Sequence, residues 1–199
     1  LIGSLAGDGL TGVDNCVAIG KSALSAVATQ DGTIAIGALA LLTLAGGAAN
    51  TAIGFSAATL LATGDHNVVI GYNAMDAADG AESHNLAIGN LALGDLNNDG
   101  ATRNIAIGNY AGDGMGTVGA SVDNIFIGYD AGGGTWTTAV SSYNVAIGSY
   151  AMDAAMNGAA DNVAIGQNAL GALIDGDNNT AVGYNSAVGI TSGASNTCI

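Results

Sequence analysis

Apolar and polar positions alternate along this chain only in short bursts. Each burst is a pentad with a branched residue or Leu second, usually Ala third, Ile or Val fourth and Gly fifth. It reads NTAIG at 50–54, NVVIG at 67–71, NLAIG at 85–89, NIAIG at 104–108 and NIFIG at 124–128. It continues as NVAIG at 144–148 and 162–166 and NTAVG at 179–183, with CVAIG at 16–20 and TIAIG at 33–37 before them. A β-prone run of period two predicts a strand and is too short for a helix. The glycine that follows takes a positive φ or lets another backbone come close. The polar stretches between pentads are rich in Gly, Asp, Asn and Ser, the residues of turns.

The pentads are evenly spaced. Their glycines fall at 3, 20, 37, 54, 71, 89, 108, 128, 148, 166 and 183, in steps of 17 to 20 residues. Three residues past each glycine stands Ala, or Ser186 in the last full copy, and Leu or Met often follows. A fixed pentad with a variable step is a constant core with a loop that stretches, the mark of a repeat architecture. One turn is read as a strand, a bend, a short second strand and a loop. The expected fold is all-β: a thin parallel β-solenoid, or β-roll, of about 17–20 residues per turn. Residues 1–199 form a single array of about 11–12 turns, opening at Leu1-Ile2-Gly3 and closing at Asn196-Thr197-Cys198-Ile199. Both ends fall inside a repeat, so the array is read as cut from a longer one.

Stacked turns place equivalent residues above one another, about 4.8 Å apart, giving a rod on the order of 55 Å long. The fourth pentad site then forms an aliphatic ladder: Ile19, Ile36, Ile53, Ile70, Ile88, Ile107, Ile127, Ile147, Ile165 and Val182. Asn opens nine of the eleven pentads whose first residue is present, and stacked Asn side chains bond to one another or cap the corner backbone. Neighbours in a strand point to opposite sides. The fourth-site Ile shares one face with the second site, and the third-site Ala shares the other with Asn. All charged residues lie outside the pentads, so both faces are apolar enough to be covered. One packs inside the coil and the other needs a partner.

Charge narrows the function. Two basic residues, Lys21 and Arg103, face sixteen acids, for a formal charge of −14. That balance excludes a phosphate-backbone binder. Proline is absent and only two cysteines are present, which excludes collagen and a disulfide scaffold. The longest apolar run, 38–49, is too short to span a bilayer, and no basic-then-apolar leader is read. No membrane insertion by this segment is expected.

NTAIGFSAATLLATG at 50–64 and NTAVGYNSA at 179–187 resemble the NTAIGYxAL repeats of phage tail-fibre-type proteins and related bacterial surface proteins. The AIG core is similar to the Hep/Hag repeat in heads of trimeric autotransporter adhesins. The likeness runs over essentially the whole chain. It implies a left-handed β-roll assembled as a homotrimer, placed extracellularly on a cell surface or virion, and used for attachment to a host or surface.

Candidate chemistry is sparse. The longest loops, between Gly108 and Gly148, contain Met115, Val118, Val122, Trp136, Val140 and Tyr143. Trp136, the only Trp, is the main candidate contact for a surface glycan or protein receptor, with Tyr143 and Met115 beside it. Packing over a neighbouring chain is the competing reading. Phe55, Tyr72, Tyr110, Tyr129, Tyr150 and Tyr184 recur just past the glycines, as a sugar-stacking stripe or, more simply, an edge covering the coil. Asp95, Asn97 and Asp99 match the first half of an EF-hand calcium loop, but the twelfth position is Ala106. Weak calcium binding there is weighed against an ordinary Asp/Asn/Gly turn; no other cofactor is expected. His66 and His84 precede consecutive pentads but lack a third metal ligand. Cys16 and Cys198 are read as small buried stand-ins for Asn and Ala, too far apart to bridge.

The expected function is a non-enzymatic extracellular fibre segment, a rigid rod displaying loops for attachment. The alternative is a self-assembling structural filament. A depolymerase lacks a singled-out acid pair, and ice binding lacks a Thr array.

Overall fold

A computed structural model describes residues 1–26, 31–116, 119–136 and 139–199. Each pentad forms one three-residue strand: β1 (Val17–Ile19), β2 (Ile34–Ile36), β3 (Thr51–Ile53), β4 (Val68–Ile70), β5 (Leu86–Ile88) and β6 (Ile105–Ile107). β7 (Ile125–Ile127), β8 (Val145–Ile147), β9 (Val163–Ile165), β10 (Thr180–Val182) and the two-residue β11 (Thr197–Cys198) complete the series. They make one parallel sheet in sequence order, β1 to β11. A further bridge joins Ile2 to Ile19. The chain is the expected parallel β-solenoid. No residue slips: Ile36 pairs with Ile19 and Ile53, and Ile127 with Ile107 and Ile147.

The pentad glycines fix that register. Gly54 has φ +144°, and a Cβ there would collide with the carbonyl oxygen of Gly71 in the next winding. The same collision recurs from Gly3 through Gly166. Any side chain at this site would push the windings apart.

The expected second strand is absent among the described residues. The stretch past each glycine is instead a row of turns, with left-handed residues at alternate positions such as Ser22 (φ 55°) and Leu24 (φ 49°), or Asn73 (50°) and Met75 (52°). Alternating handedness prevents an extended strand but still sends N–H groups to the neighbouring windings. Leu39 N–H donates back to Lys21 O (3.0 Å) and Leu41 N–H forward to Ala57 O (3.0 Å).

The Ala and Asn face lies inside. Ala18, Ala35, Ala52, Ala87, Ala106, Ala146, Ala164 and Ala181 are fully buried, as is Phe126. Opposite them pack Leu24, Leu41, Met75, Leu93, Met152 and Leu170, joined by Leu44, Leu61, Leu96, Met115 and Met156. So thin a coil has room for one methyl on the strand side and one larger side chain from the far wall.

Asparagine closes the corner. Asn67 Nδ2 donates to Asn50 Oδ1 (3.0 Å) in the preceding winding and to Glu82 O (2.8 Å) across the coil. Asn50 Oδ1 also accepts the Asn67 backbone N–H (2.9 Å). The pattern repeats through Asn85, Asn104, Asn124, Asn144, Asn162, Asn179 and Asn196, an amide ladder mostly out of solvent.

Candidate functional site

Since Ala and Asn point inward, the fourth-site ladder points outward. Ile19 through Ile147 are only half-buried, and Ile165 and Val182 are 40% and 37% exposed. The second-site residues form a parallel column beside them, from Val17 and Ile34 to Val163 and Thr180. The two columns make a continuous, uncharged aliphatic face along the sheet. A monomer seldom leaves an apolar stripe of this kind open.

An aromatic column flanks this face. Phe55 stacks on Tyr72 with centroids 5.4 Å apart, and Tyr129 meets Tyr110 and Tyr150 edge-on at 5.7 and 5.4 Å. Phe55, Tyr72, Tyr129 and Tyr150 are exposed and line an edge of the coil. At another corner His66 and His84 stack at 5.1 Å, both exposed. Each has a left-handed backbone, φ 57° and 60°.

The loop candidates part company. Trp136 is 2% exposed and Met115 fully buried, which corrects their reading as displayed contacts. They continue the interior column of Leu96 and Met156, and the Trp136 indole meets Phe126 edge-on at 5.9 Å. Tyr143 is 54% exposed at a left-handed corner. Val118 lies outside the described residues.

Asp95, Asn97 and Asp99 do not converge. Asp99 Oδ1 accepts the Ala81 N–H (3.2 Å), while Asp95 and Asn97 line a cavity of about 330 Å³ with Ala77, Gly116, Thr135 and Trp136. Among the described residues no group of three or more His, Cys, Asp or Glu is placed to hold a metal. Cys16 and Cys198 are both half-buried, so neither is the buried stand-in expected of it, and the Cys16 thiol donates to Asp14 O (3.6 Å).

Beneath the cavity lies a polar support that sequence reading missed. Glu82 is fully buried, and its carboxylate accepts the N–H groups of Gly80 (3.0 Å) and Asn98 (2.9 Å). Asn98 Nδ2 then donates to Gly116 O (2.7 Å) on the cavity wall. Elsewhere loop acids reach back one winding: Asp65 Oδ1 accepts from Ala48 N–H (2.6 Å) and Asp177 Oδ1 from Ala160 N–H (2.8 Å).

A line of carboxyls runs near the cavity. Burial pushes Asp113 up to about 6, with Asp130 and Asp95 adding repulsion. Burial also raises Asp76 and Asp153, against Asp95 and Asp130 respectively. Away from this line Arg103 forks onto Asp123, Nε to Oδ1 and Nη2 to Oδ2, both 2.7 Å, which holds the Asp123 carboxyl below the usual range.

Among the described residues no helix is long and apolar enough to cross a membrane. No protein-family model, curated protein or solved structure matches the chain.

Proposed function

We propose that this chain is a rod segment of an extracellular fibre, non-enzymatic, in which three copies pack side by side and expose their loops for attachment. One observation carries the reading. Two aliphatic columns face outward in register through ten strands, with no charge between them. Packing that stripe against identical copies removes it from water and turns a thin coil into a stiff rod. The choice of three copies follows the resemblance to tail-fibre-type repeats and adhesin heads. The sixteen acids all lie outside the strands and give the rods a net negative charge that keeps assemblies apart.

The test is sedimentation of the purified segment beside Ile107→Asp. A threefold mass that falls to one chain in the variant, with circular dichroism unchanged, supports the assembly. A folded, monomeric wild-type segment overturns it. Adhesion of the assembled rod to glycosylated surfaces tests attachment. Long fibres with no adhesion would move the reading to a structural filament.

A further inference from the structure

The chain has two histidines, and both stand at the same corner of adjacent windings, one residue before the pentad Asn. The windings are held in register there: His66 N–H donates to Ala48 O (3.0 Å) and His84 N–H to Asp65 O (2.9 Å). Both side chains are exposed, and their rings stack at 5.1 Å with 8° between the planes. Among the described residues no group donates to or accepts from either imidazole. In its neutral form each ring therefore keeps one nitrogen lone pair for a ligand from solvent.

The paired nitrogens select that ligand. Imidazole suits borderline transition metals, whereas calcium and magnesium take oxygen. Two nitrogens in cis positions around bonds of about 2.0–2.1 Å sit roughly 3 Å apart. Neighbouring windings lie about 4.8 Å apart, so tilting the two exposed rings toward each other closes them onto one ion. No third His, Cys, Asp or Glu is placed beside them among the described residues, which argues against a closed zinc site. Copper(II) and nickel(II) accept a square or tetragonal set of nitrogen and oxygen, which two imidazoles and water complete. An anion is disfavoured, because the chain carries −14 and Asp65 adjoins His66. The next residue of the column, Arg103, is forked onto Asp123, which offsets its repulsion of a cation.

We propose that His66 and His84 form a two-imidazole site for copper(II) or nickel(II), the ion tying adjacent windings together and water filling its remaining positions. The site does not depend on the assembly or attachment reading.

Asn15 and Asn178 hold the same corner with φ 60° and 58°, so His66→Asn and His84→Asn each remove one ligand and keep the backbone, which circular dichroism checks. Calorimetric titration of the full chain with nickel chloride should give one ion per chain. Each variant should bind at least about tenfold more weakly, since a second imidazole no longer acts at high effective concentration. Copper(II) at one equivalent should show coupling to two nitrogens in its electron paramagnetic resonance spectrum, and to one in either variant. That signature also separates the imidazoles from the thiols of Cys16 and Cys198. Nickel should raise the melting temperature of the wild type more than that of either variant, because the rings are paired only in the folded chain. Two ions per chain, an unchanged affinity in either variant, a wild-type copper spectrum with a single nitrogen, or an equal response to calcium chloride overturns the proposal.

Discussion

Gly132 lies against the ring of Phe126, so closely that a Cβ on it would come within 2.5 Å of Phe126 Cδ1. Phe126 stands where neighbouring windings have Ala, and Gly112 and Gly132 stand where they have Leu93 and Met152. The far wall has given up a side chain on each side to admit the ring, keeping the interior volume constant. Phe126→Ala should therefore cost about 3–5 kcal/mol through the space it leaves. Leu at position 132 is backbone-compatible, since Leu93 and Met152 hold nearly the same φ, 52° and 51° against 65°. Phe126→Ala with Gly132→Leu should recover more than about 1 kcal/mol relative to the sum of the single variants. Denaturant midpoints of the four proteins check this; additive effects would mean that the two positions do not share one volume.

The amide ladder gives a second expectation. Asn104 Nδ2 donates to Asn85 Oδ1 and Ser121 O, and its Oδ1 accepts from the N–H and Nδ2 of Asn124. Asn104→Ala strands these groups out of water and should cost about 2–3 kcal/mol. Asn104→Asp keeps the two donors from Asn124 but sets a buried, charged oxygen against the acceptors Asn85 Oδ1 and Ser121 O, and should cost more, at least about 3 kcal/mol at neutral pH. Hydrogen exchange should quicken first at Asn124 and Ile105. Equal loss in the two variants would show that the side chain acts by shape alone.

The register, the amide ladder and the glycine spine were legible because each needs one residue type at one site in every winding. Which face turns inward was not. Hydropathy favours Ile over Ala for an interior, but the coil is too thin for a column of Ile facing a column of Leu. Trp136 was misread for another reason. Counting seven or eight residues from the pentad glycines between Gly37 and Gly166 gives Leu44, Leu61, Ala78, Leu96, Met115, Trp136, Met156 and Leu173, all buried. That apolar column was visible in the text of the sequence, but the changing loop length masked it. The Asp65 and Asp177 caps share their place, two residues before the pentad, with Asp31, but Ser83 and Ser142 do the same work in other windings, so the site is not marked by one residue type. The cavity itself needed coordinates, because Ala77, the Asp95–Asn97 pair, Gly116 and Thr135 come from four different windings.

The inward turn of the Ala face makes a contrast between adjacent residues. Ala106 is fully buried and Ile107 half-buried on the outside. Ala106→Leu should overpack the coil and cost at least about 1–3 kcal/mol in any assembly state. Ile107→Ala should cost under about 1 kcal/mol in an isolated chain, where much of the side chain is already wet. In an assembled rod the same change removes a seam contact and should cost more. Unfolding measured above and below the association concentration separates the cases, and an Ile107→Ala cost independent of concentration would leave the outer face without a partner.

The line of carboxyls makes stability depend on pH in a stated direction. Asp113 titrates near 3.8 in the unfolded chain and about 6 when folded, because burial, then Asp130 and Asp95, oppose its charge. The folded state therefore holds the proton more tightly. The associated stability is complete below about pH 4 and is lost as pH rises through about 6. Asp76, Asp130 and Asp153 are raised as well, so they act in the same sense. Asp123 acts in the opposite sense, its contribution lost as pH falls, but its pair with Arg103 is exposed. Asp113→Asn should thus stabilise the rod at pH 7.5 by about 1 kcal/mol after allowance for solvent screening, and leave it unchanged near pH 3.5. Thermal melts of both proteins across pH 3.5–8 test this. A gain that persists at the acid end would show that the amide stabilises by hydrogen bonding, with no contribution from relieved repulsion along the line.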